Sequence, residues 1–122
     1  MENAIYKQLI QSLNLAASPA SIQISSLPNF VHVPEEVALI YNDSYLMIPQ
    51  LSDTLSESVI KMLNELDLLF EKMSNNKSLW TIECLKHDID WENIRRLSML
   101  ILVELGESYT EPNIEGFSWI NG

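Results

Sequence analysis

The chain has 122 residues, 47% of them hydrophobic, and its 17 acidic and 7 basic residues give a net charge of −10. A disordered acidic tail is excluded, because disordered chains combine high charge with low hydrophobicity. A nucleic-acid-binding surface is disfavoured, because neutralising phosphates requires clustered Lys and Arg. The length is typical of one domain, and we predict a single domain over 1–122, with a helical core over 1–106 and an acidic tail over 107–122.

Three features of the sequence predict a cytoplasmic protein. The first residues lack the basic and apolar regions of a secretory signal. The longest apolar run, over 99–103, is far shorter than the roughly 20 residues of a membrane-spanning helix. Cys84 is the only cysteine, so no intramolecular disulfide can form, which is consistent with a reducing compartment.

The N-terminal segment carries apolar residues at helical spacing. Ile5, Leu9 and Leu13 fall on one face, with polar residues opposite, and this pattern predicts a helix over 2–15. Pro19 follows the pattern closely, and it is expected to end the helix.

The segment after this helix contains two prolines and offers fewer periodic signals. Residues 18–33 are predicted to form a connector with little helix. Pro34, followed by two glutamates, is typical of a helix N-terminus and predicts a helix over 34–42. The alternative is a β-hairpin over 37–48, because β-prone runs flank the turn-forming residues 42–44.

The strongest helical pattern lies over 53–73, where apolar residues recur every three or four positions. Thr54 and Glu57 have the spacing of a capping box at its start. Together with two further helices in the second half of the chain, these segments predict an all-α protein. We expect a compact bundle of four to five helices with an irregular C-terminal tail.

Two further helices are predicted in the second half of the chain. Ser78 is a candidate N-cap for a helix that continues to His87. Asp88 or Asp90 is expected to begin the last helix, and Gly106 stands in the position favoured for a C-cap.

Residues that could support chemistry occur near the start of the last helix. Cys84 and His87 are three positions apart, as a thiolate–imidazole pair would require, but no oxyanion-like segment accompanies them. We therefore expect a buried structural cysteine and no enzyme activity. His87, Asp88 and Asp90 lack further ligands for a metal site, so the two aspartates are predicted to cap helices, with no metal or cofactor.

The distribution of charge is the most informative functional feature. No basic residue occurs between Lys7 and Lys61, although five acidic residues lie in that interval, and the tail after Gly106 also lacks Lys and Arg. Such negative regions favour cationic partners. Glu35 and Glu36 are expected to occupy a solvated first helical turn rather than an acid–base site. The predicted partner-contacting residues are Glu35, Glu36, Asp43, Asp53, Glu107, Glu111, Glu115 and Trp119.

Segments 79–85 and 91–97, each with a tryptophan, resemble bacterial immunity proteins of contact-dependent growth inhibition and related polymorphic toxin systems. The small size, the acidity and the lack of catalytic motifs are similar to the same family. This resemblance implies an inhibitor that binds a co-encoded toxin, often a basic nuclease, and blocks its active site or substrate groove with acidic side chains.

We therefore predict a small acidic cytoplasmic protein that inhibits a basic protein partner, most simply an immunity protein for a cognate nuclease-type toxin. The alternative is a homodimeric structural or regulatory adaptor that associates through the apolar segment 97–105. A third hypothesis, an enzyme that uses Cys84 and His87, would require a reactive thiol.

Overall fold

The computed structural model describes residues 3–112, and every regular element in that range is helical, which confirms the all-α prediction. The α-helices are α1 (Ala4–Ala17), α2 (Ala20–Ser26), α3 (Val33–Tyr45), α4 (Glu57–Ser74), α5 (Ile82–His87) and α6 (Ile89–Glu104). Two 3₁₀ turns, Ile48–Leu51 and Lys77–Leu79, precede α4 and α5. The alternative hairpin over 37–48 is not supported, since α3 and the first 3₁₀ turn occupy most of that segment.

Helices α1 and α6 pack against each other, and α3 and α4 flank them, with α3 against α1 and α4 against α6. The interior is lined by apolar residues of all these helices, and Trp91 of α6 is its largest fully buried side chain. Of the periodic apolar positions that predict α1, Leu9 and Leu13 are completely buried and Ile5 is partly buried. Among residues 3–112, no helix combines the length and the apolarity that a bilayer crossing requires.

Helix α2 corrects the prediction of a helix-poor connector over 18–33. Pro19 immediately precedes the helix, where its fixed φ is compatible with a first turn. The side-chain amide of the buried Gln23 donates hydrogen bonds to the carbonyls of Leu15 and Ala16, at 3.0 and 3.4 Å. These carbonyls lie in the last turn of α1, so the short helix is stabilised by a tertiary contact that periodicity does not reveal.

Helix α4 begins later than predicted. The predicted capping box at Thr54 is wrong, because Ser56 is the N-cap and its Oγ accepts from the Val59 amide at 3.2 Å. Thr54 instead closes a turn on the carbonyl of Leu51. Leu51 and Leu55 are both buried, so the turn stays packed on the core while the chain changes direction.

The segment predicted as one helix over 78–87 is divided at Trp80. Thr81, rather than Ser78, caps α5 by accepting from the Cys84 amide at 3.1 Å. The break turns the Trp80 indole toward α4, where its Nε1 donates to the carbonyl of Met73 at 2.9 Å.

Both ends of α6 confirm the predicted caps. Asp88 is the N-cap and accepts from the Asp90 amide at 2.8 Å. Gly106 adopts φ +75°, and the Glu107 amide donates to the Leu102 carbonyl at 2.9 Å, which is the bonding pattern of a Schellman motif. The predicted last helix therefore ends where the glycine requires it to end.

Arg95 of α6 joins three parts of the fold from a buried position, with 8% of its surface exposed. Its Nε donates to the Ser18 carbonyl at 3.0 Å, and its Nη2 donates to Gln23 Oε1 at 3.2 Å and to the Leu85 carbonyl. Its Nη1 lies 3.5 Å from Glu92 Oε2. Burial lowers the pKa of Arg95, but a guanidinium group stays charged, so its acceptors must remain in place.

Residues 107–112 have no regular structure, and they lie along α1. The Tyr109 hydroxyl is 2.8 Å from Ser18 Oγ, and the Thr110 amide donates to Asn14 Oδ1 at 3.1 Å. The start of the predicted acidic tail is therefore attached to the helical core. Glu115 and Trp119, both predicted to contact a partner, lie outside the described residues.

Candidate functional site

A groove of about 700 Å³ runs between α3 and α4 and ends at Trp80. Its apolar surface is formed by Ala38, Leu39, Tyr41, Phe70 and Trp80. Leu39 is 54% exposed, so its apolar side chain is accessible from the groove. Concave apolar surfaces with a few polar groups at the edge are the common form of binding sites.

Hydrogen bonds between the flanking elements hold the groove at both ends. At one end, the hydroxyl of Tyr41 donates to the Leu63 carbonyl, and that of Tyr45 donates to Asn64 Oδ1, both at 2.7 Å. At the other end, a ring nitrogen of His32 is 2.9 Å from the Trp80 carbonyl. The two walls are therefore fixed relative to each other, and a ligand would meet a groove that is already formed.

The groove floor belongs to a chain of aromatic contacts that reaches the core. Tyr41 packs on Phe70 with ring centroids 5.5 Å apart, and Phe70 meets Trp91 edge-on at 6.2 Å. Trp91 also meets Trp80 edge-on at 5.2 Å. Such contacts restrict ring motion, so the floor is a rigid aromatic surface.

Three carboxylates and one ammonium group surround this floor. Glu35 lies on the α3 side, Asp67 and Glu71 lie on the α4 side, and Lys77 lies near the closed end. Within residues 3–112, none of the three carboxylates forms an ion pair. Partial burial, followed by repulsion from Glu71, raises the pKa of Asp67. The edge of the groove is therefore a site of unneutralised negative charge.

The other predicted residues of α3 lie outside the groove. Glu36 and Asp43 are displaced by about 100° and 80° from Glu35 around the helix, because each residue turns the helix by about 100°. Partial burial, followed by the charge of Asp43, raises the pKa of Glu36. Asp53 is exposed in the turn before α4. Of the predicted partner-contacting residues on α3 and in the turn before α4, only Glu35 lines the groove, and the others lie elsewhere on the surface.

The tail carboxylate Glu107 has a role within the fold. Its Oε2 accepts a hydrogen bond from the Tyr6 hydroxyl at 3.0 Å. Burial and this carboxylate raise the pKa of Tyr6 to about 12. Glu111 is exposed near the end of the described chain. Neither glutamate lines the groove between α3 and α4.

Asp67 and Glu71 are the groove residues that sequence reasoning missed. The two basic residues Lys61 and Lys72 offset half of the four acidic residues of α4, so its summed charge is only −2. The positions of the two missed carboxylates around the helix could have identified them. Asp67 and Glu71 are four residues apart and therefore lie on the same face of α4. A like-charged pair at this spacing lowers helix stability, which suggests a role other than stabilising α4.

The candidate catalytic and metal-binding residues have structural contacts of their own. The Cys84 thiol donates to the Ser78 carbonyl at 3.2 Å, and the side chain is half-buried rather than buried as predicted. His87 Nε2 is 3.4 Å from Glu83 Oε1. Asp88 is occupied as the N-cap of α6. Among residues 3–112, no group of three or more His, Cys, Asp or Glu is placed to hold a metal ion.

The groove between α3 and α4 is therefore the candidate site, with a rigid aromatic floor and carboxylates that lack cationic partners in the described chain. Comparison of the whole chain with protein-family models, with curated proteins and with solved structures finds no match.

Proposed function

We propose that this protein binds and inhibits a basic protein partner, and that the groove between α3 and α4 is its binding surface. The observation that supports the proposal most directly is the combination of an apolar floor with the unpaired carboxylates of Glu35, Asp67 and Glu71. We propose binding without catalysis as the protein's activity, because the groove offers recognition groups rather than a nucleophile and base.

The groove chemistry fits a long cationic side chain. Lys and Arg carry an apolar stem that can lie on an apolar surface while the charged head stays at its edge. The partly buried ring of Trp80 can attract a cation by its face, and the carboxylates of Asp67 and Glu71 can pair with it. Arg is the better match, because its planar guanidinium group can engage two carboxylate oxygens together.

The net charge of the protein and the fixed shape of the groove both support this kind of partner. The net charge of −10 produces a field that accelerates encounter with a basic protein. Hydrogen bonds made by Tyr45 and His32 fix the ends of the groove, so less conformational entropy is lost when a partner binds.

The biological setting that we propose is that of an immunity protein in the cytoplasm, which neutralises a cognate nuclease-type toxin. A nuclease active site or substrate groove is rich in Lys and Arg because it binds phosphates. A rigid surface with carboxylates at its edge can occupy such a groove in place of the nucleic acid. The resemblance of segments 79–85 and 91–97 to immunity proteins favours the same setting.

Isothermal titration against the product of the neighbouring upstream gene tests the proposal. The groove variant, E35Q/D67N/E71Q, removes three negative charges with little change of shape. We expect it to weaken binding at least about 100-fold, because close charge pairs at interfaces contribute more than 1 kcal/mol each and tenfold in affinity corresponds to about 1.4 kcal/mol.

The matched control is E36Q/D43N/D53N, which removes the same number of charges from predicted residues outside the groove. Its expected effect is less than about fivefold, through slower electrostatic encounter. An equal loss of affinity in both variants would refute the groove as the binding surface. No binding by the unaltered protein, together with no rescue of cells that express the neighbouring product, would refute the immunity function.

A further inference from the structure

Helix α6 carries an exposed stripe on the side opposite its buried face. Ile89, Leu100 and Val103 are 63%, 52% and 67% exposed, although each is a large aliphatic residue. Glu92 and Arg96 lie between Ile89 and Leu100 on the same side and are also exposed. Steps of three and four residues separate these positions, so they form one continuous face.

The order of side chains along this stripe is self-complementary. From Ile89 to Leu100 the stripe is apolar, acidic, basic and apolar. When two copies of α6 lie antiparallel about a point midway between Glu92 and Arg96, the acidic residue of each copy faces the basic residue of the other. In the same alignment, Ile89 of one copy lies opposite Leu100 of the other. The two residues differ in position along the helix axis by about 1.5 Å, which is the rise of one residue.

We propose that the exposed stripe of α6 is the interface of an antiparallel homodimer. A twofold interface uses the same patch on both copies, and such a patch must complement itself, as this one does. A parallel pair would place Glu92 against Glu92 and Arg96 against Arg96, so the charges select the antiparallel orientation. Within residues 3–112, Arg96 has no hydrogen-bond or ion-pair partner, which leaves its charge available to a second copy.

This inference goes beyond the proposed function and is independent of it. The groove is built by α3, α4 and Trp80, whereas the stripe lies on α6. One dimer could therefore hold two basic partners. The segment that overlaps, from Ile89 to Leu100, is about 17 Å long, so we expect a dimer that dissociates on dilution rather than an obligate one.

Sedimentation velocity over a concentration series tests the dimer with charge reversals. Arg96→Glu and Glu92→Arg each turn two attractive contacts of the interface into repulsive ones, so each variant is expected to raise the dissociation constant at least about tenfold. Mixing the two variants restores opposite charges at every contact, and native mass spectrometry should show the heterodimer. Asp43→Arg, which changes the net charge by as much as Glu92→Arg but lies on α3, should sediment like the unaltered protein.

Circular dichroism melting establishes that each variant is folded. Glu92 also pairs with Arg95, whereas Arg96 has no side-chain hydrogen bond or ion pair among the described residues, so Arg96→Glu remains decisive if Glu92→Arg unfolds. Where Glu92→Arg is folded, the double variant E92R/R96E adds a check, because it should dimerise with itself. A protein that is monomeric at its highest soluble concentration would overturn the proposal. So would a dimer that persists in Arg96→Glu, or charge-swapped pairs that stay monomeric.

Discussion

Arg95 and the groove carboxylates lie against the same hydrophobic core, but they differ in whether the described chain supplies partners for their charges. Each nitrogen of the Arg95 guanidinium group donates to an acceptor of the protein, and the group links α1, α2, α5 and α6. Asp67 and Glu71 lie at the edge of an open groove, and no cation of the described chain pairs with them. The charge of Arg95 is enclosed and satisfied, whereas the charges of Asp67 and Glu71 have no ion-pair partner within residues 3–112.

This difference separates structural charge from binding charge. Loss of Arg95 would leave the buried acceptors of Ser18, Gln23 and Leu85 without donors, so we expect Arg95 to be needed for stable folding. A repulsive pair at a groove edge costs little stability, so the protein can keep it for recognition. We therefore expect substitutions at Arg95 and at the groove carboxylates to change the free energy of unfolding by different amounts and in opposite directions.

The largest expected effect is that of Arg95→Met. The substitution removes the donors that satisfy the carbonyls of Ser18 and Leu85 and the amide oxygen of Gln23, all in a buried region. We expect the free energy of unfolding to fall by about 3–5 kcal/mol. Urea denaturation followed by circular dichroism measures the change. Lys61→Ala, at an exposed position of α4, should stay within about 0.5 kcal/mol of the unaltered protein. Equal effects of the two substitutions would contradict a structural role for Arg95.

A moderate effect is expected at the attachment of residues 107–112. Ser18 Oγ donates to the Asn14 carbonyl at 2.7 Å, so the Tyr109 hydroxyl is the donor in its contact with Ser18. Tyr109→Phe removes that hydrogen bond and keeps the ring, and we expect a loss of about 1 kcal/mol. Thermal unfolding provides the measurement. An unchanged melting temperature would show that this contact does not hold the segment.

The smallest effect, opposite in sign, is expected at Asp67. Because the folded state raises the pKa of this carboxyl, ionisation opposes folding, and the penalty is present at neutral pH. Asp67→Asn should raise the free energy of unfolding at pH 7 by about 0.2–0.5 kcal/mol, the size of a like-charged helix pair. The advantage should vanish below pH 3.8, where the carboxyl of the unaltered protein is protonated in both states. Urea titrations at both pH values test this.

Glu57→Gln gives the matched comparison on the same helix. Glu57 lies in the first turn of α4, where a negative charge interacts favourably with the helix dipole. Its neutralisation should lower stability by about 0.3–1 kcal/mol at pH 7. A loss of stability in Asp67→Asn as well would mean that Asp67 supports the fold, contrary to its assignment as a binding residue.

The sequence predicts the elements whose signals are local. Leu9 and Leu13 mark the buried face of α1, and Asp88 and Gly106 mark the ends of α6. Helix α2 could not be predicted in this way, because Gln23 stabilises it through the end of another helix and through Arg95. Local patterns do not show which distant groups will meet.

The candidate site was predictable only in part for the same reason. The interval without basic residues includes Glu35, which lines the groove, but it also includes Glu36 and Asp43, which lie on another side of α3. Asp67 becomes a groove residue only when α4 packs beside α3, a pairing fixed by contacts such as Tyr45 with Asn64. The net charge can be read from the sequence, whereas tertiary packing determines where that charge is concentrated.

Hydrogen–deuterium exchange with and without the neighbouring upstream gene product tests the central claim most directly. It compares the groove helices with the α1 and α6 pair in one experiment. We predict slower exchange on binding at Val33–Tyr45 and Glu57–Ser74, with smaller changes at Ala4–Ala17 and Ile89–Glu104. Protection confined to α1 or α6, with α3 and α4 unchanged, would contradict the assignment of the groove as the binding surface.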